Sequence, residues 1–500
     1  MLPSSPHDPQ AMDLVFSEIG NLIGGREVPA STGARFDKIN PHDGSRLWVV
    51  ARSDAEDVAR AVATAKEAQP SWARLSPVGR GEILRSIATA LLSHRDAVAG
   101  VVARETGKSL ANARGETEAA ASLGFFYAGE GQRLYGRTTT SGVANKFAMT
   151  VRQPVGVAGL IIAANTPIAN VAWKVFPALI CGNSAVLKSA EDTPATAALF
   201  GRIAKEAGLP HGVLNIVHGY GPEAGAPLVD HPDVGVLSFT GSSAVGREIA
   251  IVAGRRLAKL SLELGGKNPL VVCDDADLDE AVRWALLSAF SNAGQRCAAG
   301  SRIIAFDSIY EEFRARLLEA TSKLRVGPAD EDDFGPVINR RQLEKMLKAI
   351  EDAVASGASL ITGGHRMNGP AHANGFYLAP TLLEGADPDA EISTCGLFGP
   401  IACLYRVTDF AEALALANHS PYGLTACIHT KDFHRAMEFS LAVQSGVAVV
   451  NAGTYGSEPH MPFGGVKGSG NGTREPGTEA LDIYSNLKDV YLSVDPAKAS

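Results

Sequence analysis

Cysteine is scarce in this 500-residue chain: Cys181, Cys273, Cys297, Cys395, Cys403 and Cys427 are scattered along it. No Cys-x-x-Cys pair and no His/Cys cluster with zinc spacing occurs, so neither a disulfide framework nor a metal site is expected. A reducing, cytoplasmic compartment is the expected setting. An excess of basic charge is also missing. Lys plus Arg number 46 against 54 for Asp plus Glu, a formal net charge of −8, which argues against a nucleic-acid partner. The first ten residues are polar and lack a basic stretch followed by an apolar one, so no secretory leader is expected there. Uninterrupted apolar runs are absent as well. About twenty uncharged residues separate Arg152 from Lys174, the length of a membrane span. Pro154, Gly156, Gly159, Asn165, Pro167 and Asn170 interrupt them, so the stretch reads as strand, loop and helix, and no membrane partner is expected. No repeat of fixed period and no low-complexity segment occurs.

What is present describes a globular protein. Hydrophobic residues make up 45% and charged residues 20%, and the length suits two or three domains. Gly 52 and Pro 27 are spread along the chain, as expected for many tight turns. Apolar periodicity predicts a helix over 54–69 and two more within 80–106. Strands are expected over 155–162, 185–188, 212–217 and 234–239, with helices over 170–181, 194–207 and 243–254. The pattern restarts with strand 269–273, helix 278–292 and strand 301–306. Buried strands alternating with helices predict an α/β chain with mostly parallel sheets and a second α/β unit from about Glu263. The polar stretch 133–152, β-rich over 138–140 and 146–151, and the strand-like 483–494 are candidates to pair as an arm between subunits.

Two glycine-rich turns are candidate phosphate sites. Gly219, Gly221 and Gly225 form a near-fingerprint that is one residue too long, with Pro222 where helix-opening amides belong, and it reads as a turn. Gly241 and Gly246 have P-loop spacing, but Arg247 and Glu248 follow where Lys and Ser/Thr are required. The end of strand 234–239 at Gly241 and Ser242 still places free amides at a helix start, suited either to a pyrophosphate or to a plain Ser N-cap. Cys297 follows a Gly-bearing break in a helix, with Arg296 beside it to favour the thiolate. Glu263 precedes a Gly-Gly turn. Alone, Cys297 would read as an inert buried cysteine and Glu263 as a loop carboxylate.

The ordered set of motifs resembles the aldehyde dehydrogenase superfamily from about Phe36 to about Val494. The motifs are Gln153-Pro-Val-Gly-Val157 with Asn165-Thr-Pro167, Gly182-Asn-Ser-Ala-Val-Leu-Lys188, Phe239-Thr-Gly-Ser242 with Gly246, and Glu263-Leu-Gly-Gly-Lys267. Gly294-Gln-Arg-Cys297, Phe398-Gly-Pro400 and Pro462-Phe-Gly-Gly465 follow. The resemblance implies an NAD-binding domain of 1–132 and 154–262, a catalytic domain of 263–472, and an arm and C-terminal strand of 133–153 and 473–500. It implies oxidation of a small-molecule aldehyde to an acid. Cys297 is the nucleophile, Asn165 with the Cys297 amide holds the oxyanion, and Glu263 is the base that hydrolyses the thioester. It assigns Lys188, Glu191, Ser242, Gly241, Gly246, Phe398, Ile162 and Leu264 to the cofactor. Asn170, Trp173, Arg296 and Phe463 line the aldehyde tunnel. Glu191 would repel a 2′-phosphate, so NAD is favoured over NADP, although the family uses both. A homodimer or homotetramer is implied.

Four departures from the family pattern stand out. Gly396 occupies the position of the usual nicotinamide-ribose carboxylate. Ala163 and Ala164 replace Pro-Trp before Asn165. Ser189 replaces Pro after Lys188. The run from Ser469 to Glu475 is one residue longer than usual. Arg296 suits either a substrate carboxylate or a packing role. A CoA-acylating semialdehyde dehydrogenase is the alternative enzyme, against which Glu263 argues. A catalytically weak binding or structural protein of the same fold is the alternative outside enzymes, and Gly396 is its one support.

Overall fold

The computed structural model describes residues 16–498, so the leader expectation for residues 1–10 falls outside the described residues. Two seven-stranded sheets organise the chain. The first contains five parallel strands, ordered Lys259–Glu263, Val234–Thr240, Val157–Ile161, Ser184–Lys188 and Leu214–Val217. The hairpin Asn21–Ile23 and Arg26–Val28 adds antiparallel strands at one edge. The chain winds outward from Val157–Ile161 on one side and then crosses to the other. The crevice between the ends of Val157–Ile161 and Val234–Thr240 is therefore a topological switch point, where open α/β sheets bind ligands. All of Val157–Ile161 and Ser184–Lys188 is buried, as the unbroken apolar runs predict for strands covered on both faces.

The second sheet runs Ser359–Thr362, Thr381–Glu384, Ile401–Val407, Gly300–Phe306, Asn268–Val272, Thr425–His429 and Val447–Val450, parallel except for its first pair. The N-terminal ends of Asn268–Val272 and Gly300–Phe306 lie beside the loops that bear Glu263 and Cys297. A three-stranded ribbon stands apart: Thr138–Thr140 and Ser485–Ser493 flank Lys146–Pro154 in antiparallel register. The two remote strand-like segments thus pair within one chain.

Several boundaries move from those the sequence suggests. The first helix continues through Pro70 to Arg74. The next begins at Pro77, where Ser76 caps Gly79. The helix expected from residue 170 begins at Pro167, because proline is pre-formed for a first turn. The helix expected to reach residue 292 ends at Phe290 and passes into a tight turn over Ser291–Gly294, in which Asn292 and Ala293 are left-handed. The last strand begins at Ser485 after a short helix, Ala480–Ile483. The 21-residue helix Leu110–Glu130 was not anticipated.

The lengthened run after Ser469 lies along the free edge of Lys259–Glu263. Gly470 bridges Glu263, and Asn471 accepts the Leu262 amide at 3.0 Å and donates to the Leu260 carbonyl at 2.8 Å. It closes an edge that would otherwise expose unpaired backbone. Among the described residues, no helix is long and apolar enough to cross a membrane.

Candidate active site

Four segments converge on one small cavity. One follows strand Val157–Ile161 and carries Asn165. A second follows Val234–Thr240 and carries Gly241. A third is the end of Lys259–Glu263, with Glu263 and the following Leu264. The fourth precedes Gly300–Phe306 and carries Cys297. Asn165, Asn170, Trp173, Gly241, Glu263, Leu264, Cys297, Phe398 and Phe463 all line the cavity, joined by Ala163, one of the departures from the family pattern, and by Thr166 and Thr240, which sequence reasoning did not assign to the site. Its volume is about 60 Å³, room for roughly two waters or a small carbonyl group. A depression of about 950 Å³ lies elsewhere, against Tyr310 and Leu416. Its charges are spent on each other, as in Arg314–Glu384 and His419–Asp389.

The Cys297 loop is held from below. Asn268 donates to the carbonyls of Cys297 at 2.8 Å and Ala299 at 2.9 Å. Gly294 lies so close to the Gly399 carbonyl that a Cβ would come within 2.1 Å of its oxygen, so only glycine fits. Phe398, just before Gly399, has a left-handed backbone with φ of 56°. Arg296 does favour the Cys297 thiolate, as expected, but it is outweighed. Burial, followed by the charge of Glu263, pushes the Cys297 thiol up to about 11, against weaker opposing effects of the Ala298 amide and Arg296. At neutral pH Cys297 therefore rests as a thiol.

Glu263 is 3% exposed, and neither carboxylate oxygen has a hydrogen-bond partner. Burial, with Glu475 adding to it, holds its carboxyl well above the usual range, and Lys174 and Arg474 oppose this. Gly464 leaves it room, since a Cβ there would stand 2.9 Å from Glu263 Oε1. Behind Glu263 lies a buried network absent from the sequence reading. Lys174 Nζ donates to Glu475 at 2.9 Å and to Ser238 at 2.6 Å, while Ser238 and Tyr484 donate to the other Glu475 oxygen. One sequence signal was available: Lys174 is a lone charge in an apolar helix, and such a charge needs a buried partner.

The tunnel residues fall into two groups. Trp173 and Phe463 meet edge to face with centroids 5.3 Å apart, and Asn170 Nδ2 is bound to the carbonyl and hydroxyl of Thr166. Arg296 lies outside the lining set. Its guanidinium covers the Tyr455 ring at 4.8 Å and its Nε has no partner, an arrangement that includes the packing role without a carboxylate.

The residues assigned to a cofactor lie along the switch-point crevice and its flanks. Lys188 is 3% exposed and pairs with Glu191 at 3.2 Å, so it is no solubilising surface lysine. Ser189, in place of proline, bonds the buried His218 at 2.8 Å. Ser242 caps helix Ser243–Arg256 through the Val245 amide at 3.4 Å. A Cβ on Gly241 would strike the Phe239 ring at 2.3 Å, and one on Gly246 would strike Leu264 at 2.6 Å. Both glycines therefore have packing reasons. Ile162 is buried in the core beside this crevice. Gly396 sits against the Gly265–Gly266 turn, where a Cβ would be 3.2 Å from the Gly266 carbonyl oxygen. All six cysteines are free, and no group of three or more acidic, His or Cys side chains suited to a metal occurs among the described residues.

Comparison with known proteins agrees with this architecture. The profile of the aldehyde dehydrogenase family matches residues 28–490. The chain is 38% identical to an alpha-ketoglutaric semialdehyde dehydrogenase of Bacillus subtilis over 475 residues, 94% of this chain and 97% of that one. It is 37% identical to an NADP(+) succinate-semialdehyde dehydrogenase of Escherichia coli, covering 95% and 97% of the two chains. The structure of Staphylococcus aureus betaine aldehyde dehydrogenase in complex with NAD+ superposes with a TM-score of 0.94 at 32% identity, covering 98% of each chain. With its fold, its motifs and its cavity in agreement over nearly the whole length, this chain belongs to the aldehyde dehydrogenase family.

Proposed function

We propose that this enzyme oxidises an aldehyde to a carboxylic acid through a covalent thioester on Cys297, released by water that Glu263 activates. The observation that carries the reading is Glu263: buried, with both oxygens free of partners, on the wall that also bears Cys297 and Asn165. A structural carboxylate would be paired. Cys297 Sγ releases its proton to water and attacks the carbonyl carbon, and the C=O pair moves onto oxygen. The Asn165 side-chain amide and the Cys297 amide hold that oxyanion. NAD, when bound, supplies the hydride acceptor that converts this adduct to a thioester. Ionised Glu263 takes a proton from water, whose oxygen attacks the thioester carbon and displaces the Cys297 thiolate. Its high proton affinity makes it a strong base once ionised.

The crevice residues suit a dinucleotide. Buried Lys188, paired with the partly exposed Glu191, stands at one strand end, and a helix N-terminus with close glycine approach stands at another, a combination that receives ribose hydroxyls and a pyrophosphate. Ile162, Leu264 and Phe398 would contact the nicotinamide half. Glu191 supports NAD over NADP. Residues 1–132 with 154–262 would form the cofactor domain and 263–472 the catalytic domain. The ribbon of 133–153 and 473–500 would join protomers into a homodimer or homotetramer, a role supported by exposed Phe147, Leu487, Tyr491 and Leu492.

A carboxylate-bearing semialdehyde is the substrate class we favour. Arg296, next to Cys297 in sequence, has no carboxylate partner among the described residues, and two of the relatives above are named for semialdehydes. The test is reduced-cofactor formation across short aliphatic, aromatic and carboxylate-bearing aldehydes, with NAD or NADP and with or without CoA. CoA-independent turnover, fastest with semialdehydes and abolished in Cys297→Ala while cofactor binding persists, supports the reading. CoA-dependent turnover without acid product transfers the assignment to the acylating branch. Cofactor binding without turnover transfers it to a binding role.

A further inference from the structure

The carbonyl oxygen of Asn165 is the meeting point of two donors from opposite sides of the active site. Lys108 Nζ reaches it at 2.8 Å and Asn292 Nδ2 at 3.4 Å. We propose that Lys108, backed by Glu116, and Asn292 are positioning residues that fix the Asn165 side-chain amide relative to Cys297. The proposal rests on the reading above that Asn165 holds the oxyanion.

Lys108 stands just after helix Arg95–Thr106 and Glu116 lies on helix Leu110–Glu130, neither of which lines the cavity. The two are joined at 2.5 Å with side chains only 3% and 6% exposed. A buried pair of this kind holds its geometry when its remaining hydrogen-bonding capacity is filled. Here it is filled by the catalytic loop. Lys108 donates a second hydrogen bond to the Asn165 carbonyl, and the other Glu116 oxygen accepts the amides of Ile168 at 3.0 Å and Ala169 at 3.4 Å. Those amides open helix Pro167–Ile180, which has no side-chain cap from Thr166. Glu116 therefore occupies the helix end that would otherwise attract an anion. Stabilisation of the oxyanion is left to the Asn165 amide and the Cys297 backbone, so the aim of Asn165 is decisive.

Asn292 ties the same carbonyl to the nucleophile. It sits in the left-handed turn before Cys297 with φ of 54°, and its amide also reaches the Gln295 carbonyl at 3.3 Å. Gln295 is anchored in turn by the Ile338 amide at 2.8 Å and the Pro336 carbonyl at 3.3 Å. The oxyanion loop and the nucleophile loop thus share one acceptor, and movement of either is transmitted to the other.

The test compares the intact enzyme with Lys108→Met/Glu116→Gln, which removes both charges together, and Asn292→Gly, which keeps the left-handed backbone. Stopped-flow measurement gives the first-turnover rate of reduced-cofactor formation at saturating aldehyde and NAD. Timed iodoacetamide labelling gives Cys297 reactivity without developing an oxyanion. The expected result is a first turnover slower by about tenfold to a hundredfold, with Cys297 labelling within about twofold of the parent and cofactor affinity unchanged. Equal losses in turnover and labelling would assign these residues a merely structural role and overturn the proposal. So would parental turnover in Asn292→Gly, which also decides the matter if the double variant fails to fold. Asn165→Ala separates the two readings: parental turnover there removes the oxyanion role itself, whereas slow turnover there with parental positioning variants removes only this proposal.

Discussion

In the resting enzyme, with no cofactor added, alkylation of Cys297 should accelerate about tenfold per pH unit with no plateau before about pH 10. Burial and Glu263 push this thiol from 9.0 up to about 11. At neutral pH the thiolate is then roughly one molecule in ten thousand, against about one in a hundred for an unperturbed thiol at that reference. The two-unit shift amounts to about 3 kcal/mol disfavouring the thiolate. The sign for stability follows. A raised acid pKa leaves the fold's stability complete below the ordinary thiol value of 9.0 and erodes it as pH climbs through about 11. Cys297→Ala should remove that alkaline loss. The assay is mass spectrometry of the Cys297 peptide after timed iodoacetamide exposure from about pH 6 to about pH 10. Buried Cys181, Cys273, Cys403 and Cys427 serve as internal controls for folding. Arg296→Gln should slow labelling further, since its charge favours the thiolate. A plateau between about pH 7 and 8 would show a thiolate formed in advance and refute the reasoning from burial.

Glu263→Gln should leave the first hydride transfer nearly intact and slow deacylation, giving a burst of about one equivalent of reduced cofactor per site in stopped-flow absorbance. Equal slowing of the first turnover would place Glu263 earlier in the cycle. Gly396→Glu requires the Gly266 carbonyl, 3.2 Å from the added Cβ, to yield slightly. It should tighten NAD by about tenfold, the worth of one charged hydrogen bond, and raise the hydride-transfer rate; calorimetric titration and stopped flow measure the two, and a slower step would show a site built around glycine. Lys174→Met leaves Glu475 buried without its cation, both side chains being fully buried. It should cost about 3–5 kcal/mol in urea unfolding, while Lys174→Met/Glu475→Gln should recover part of that loss.

The parallel sheets were legible because their strands are short apolar runs separated by helical rhythm. The cavity was legible because Cys297, Glu263 and Asn165 sit in recognisable motifs. Helix Leu110–Glu130 was not, since its buried face, spaced three and four residues apart, is made largely of Ala, Gly, Thr117, Glu116 and Glu130, leaving little apolar contrast to read. The Lys108–Glu116 and Lys174–Glu475 pairs escaped for a different reason. Their meaning lies in partners far along the chain, 57 residues for Lys108 to Asn165 and 301 for Lys174 to Glu475, and spacing carries no signal over such separations. The protonation of Cys297 and Glu263 was also hidden, because it depends on burial and on a neighbouring charge that only the folded chain supplies.

The left-handed backbone of Phe398 sets selection for robustness against selection for turnover. A non-glycine residue in that conformation carries about 1–2 kcal/mol of steric cost, and here the next residue, Gly399, is locked against both Gly294 and Met346. Phe398→Gly would relieve the backbone but remove a wall of the cavity. A thermal screen of random variants should therefore enrich this substitution, while a growth screen that demands aldehyde oxidation should discard it. The position acts as an evolutionary toll gate: the enzyme retains its aromatic wall only while its activity is being used.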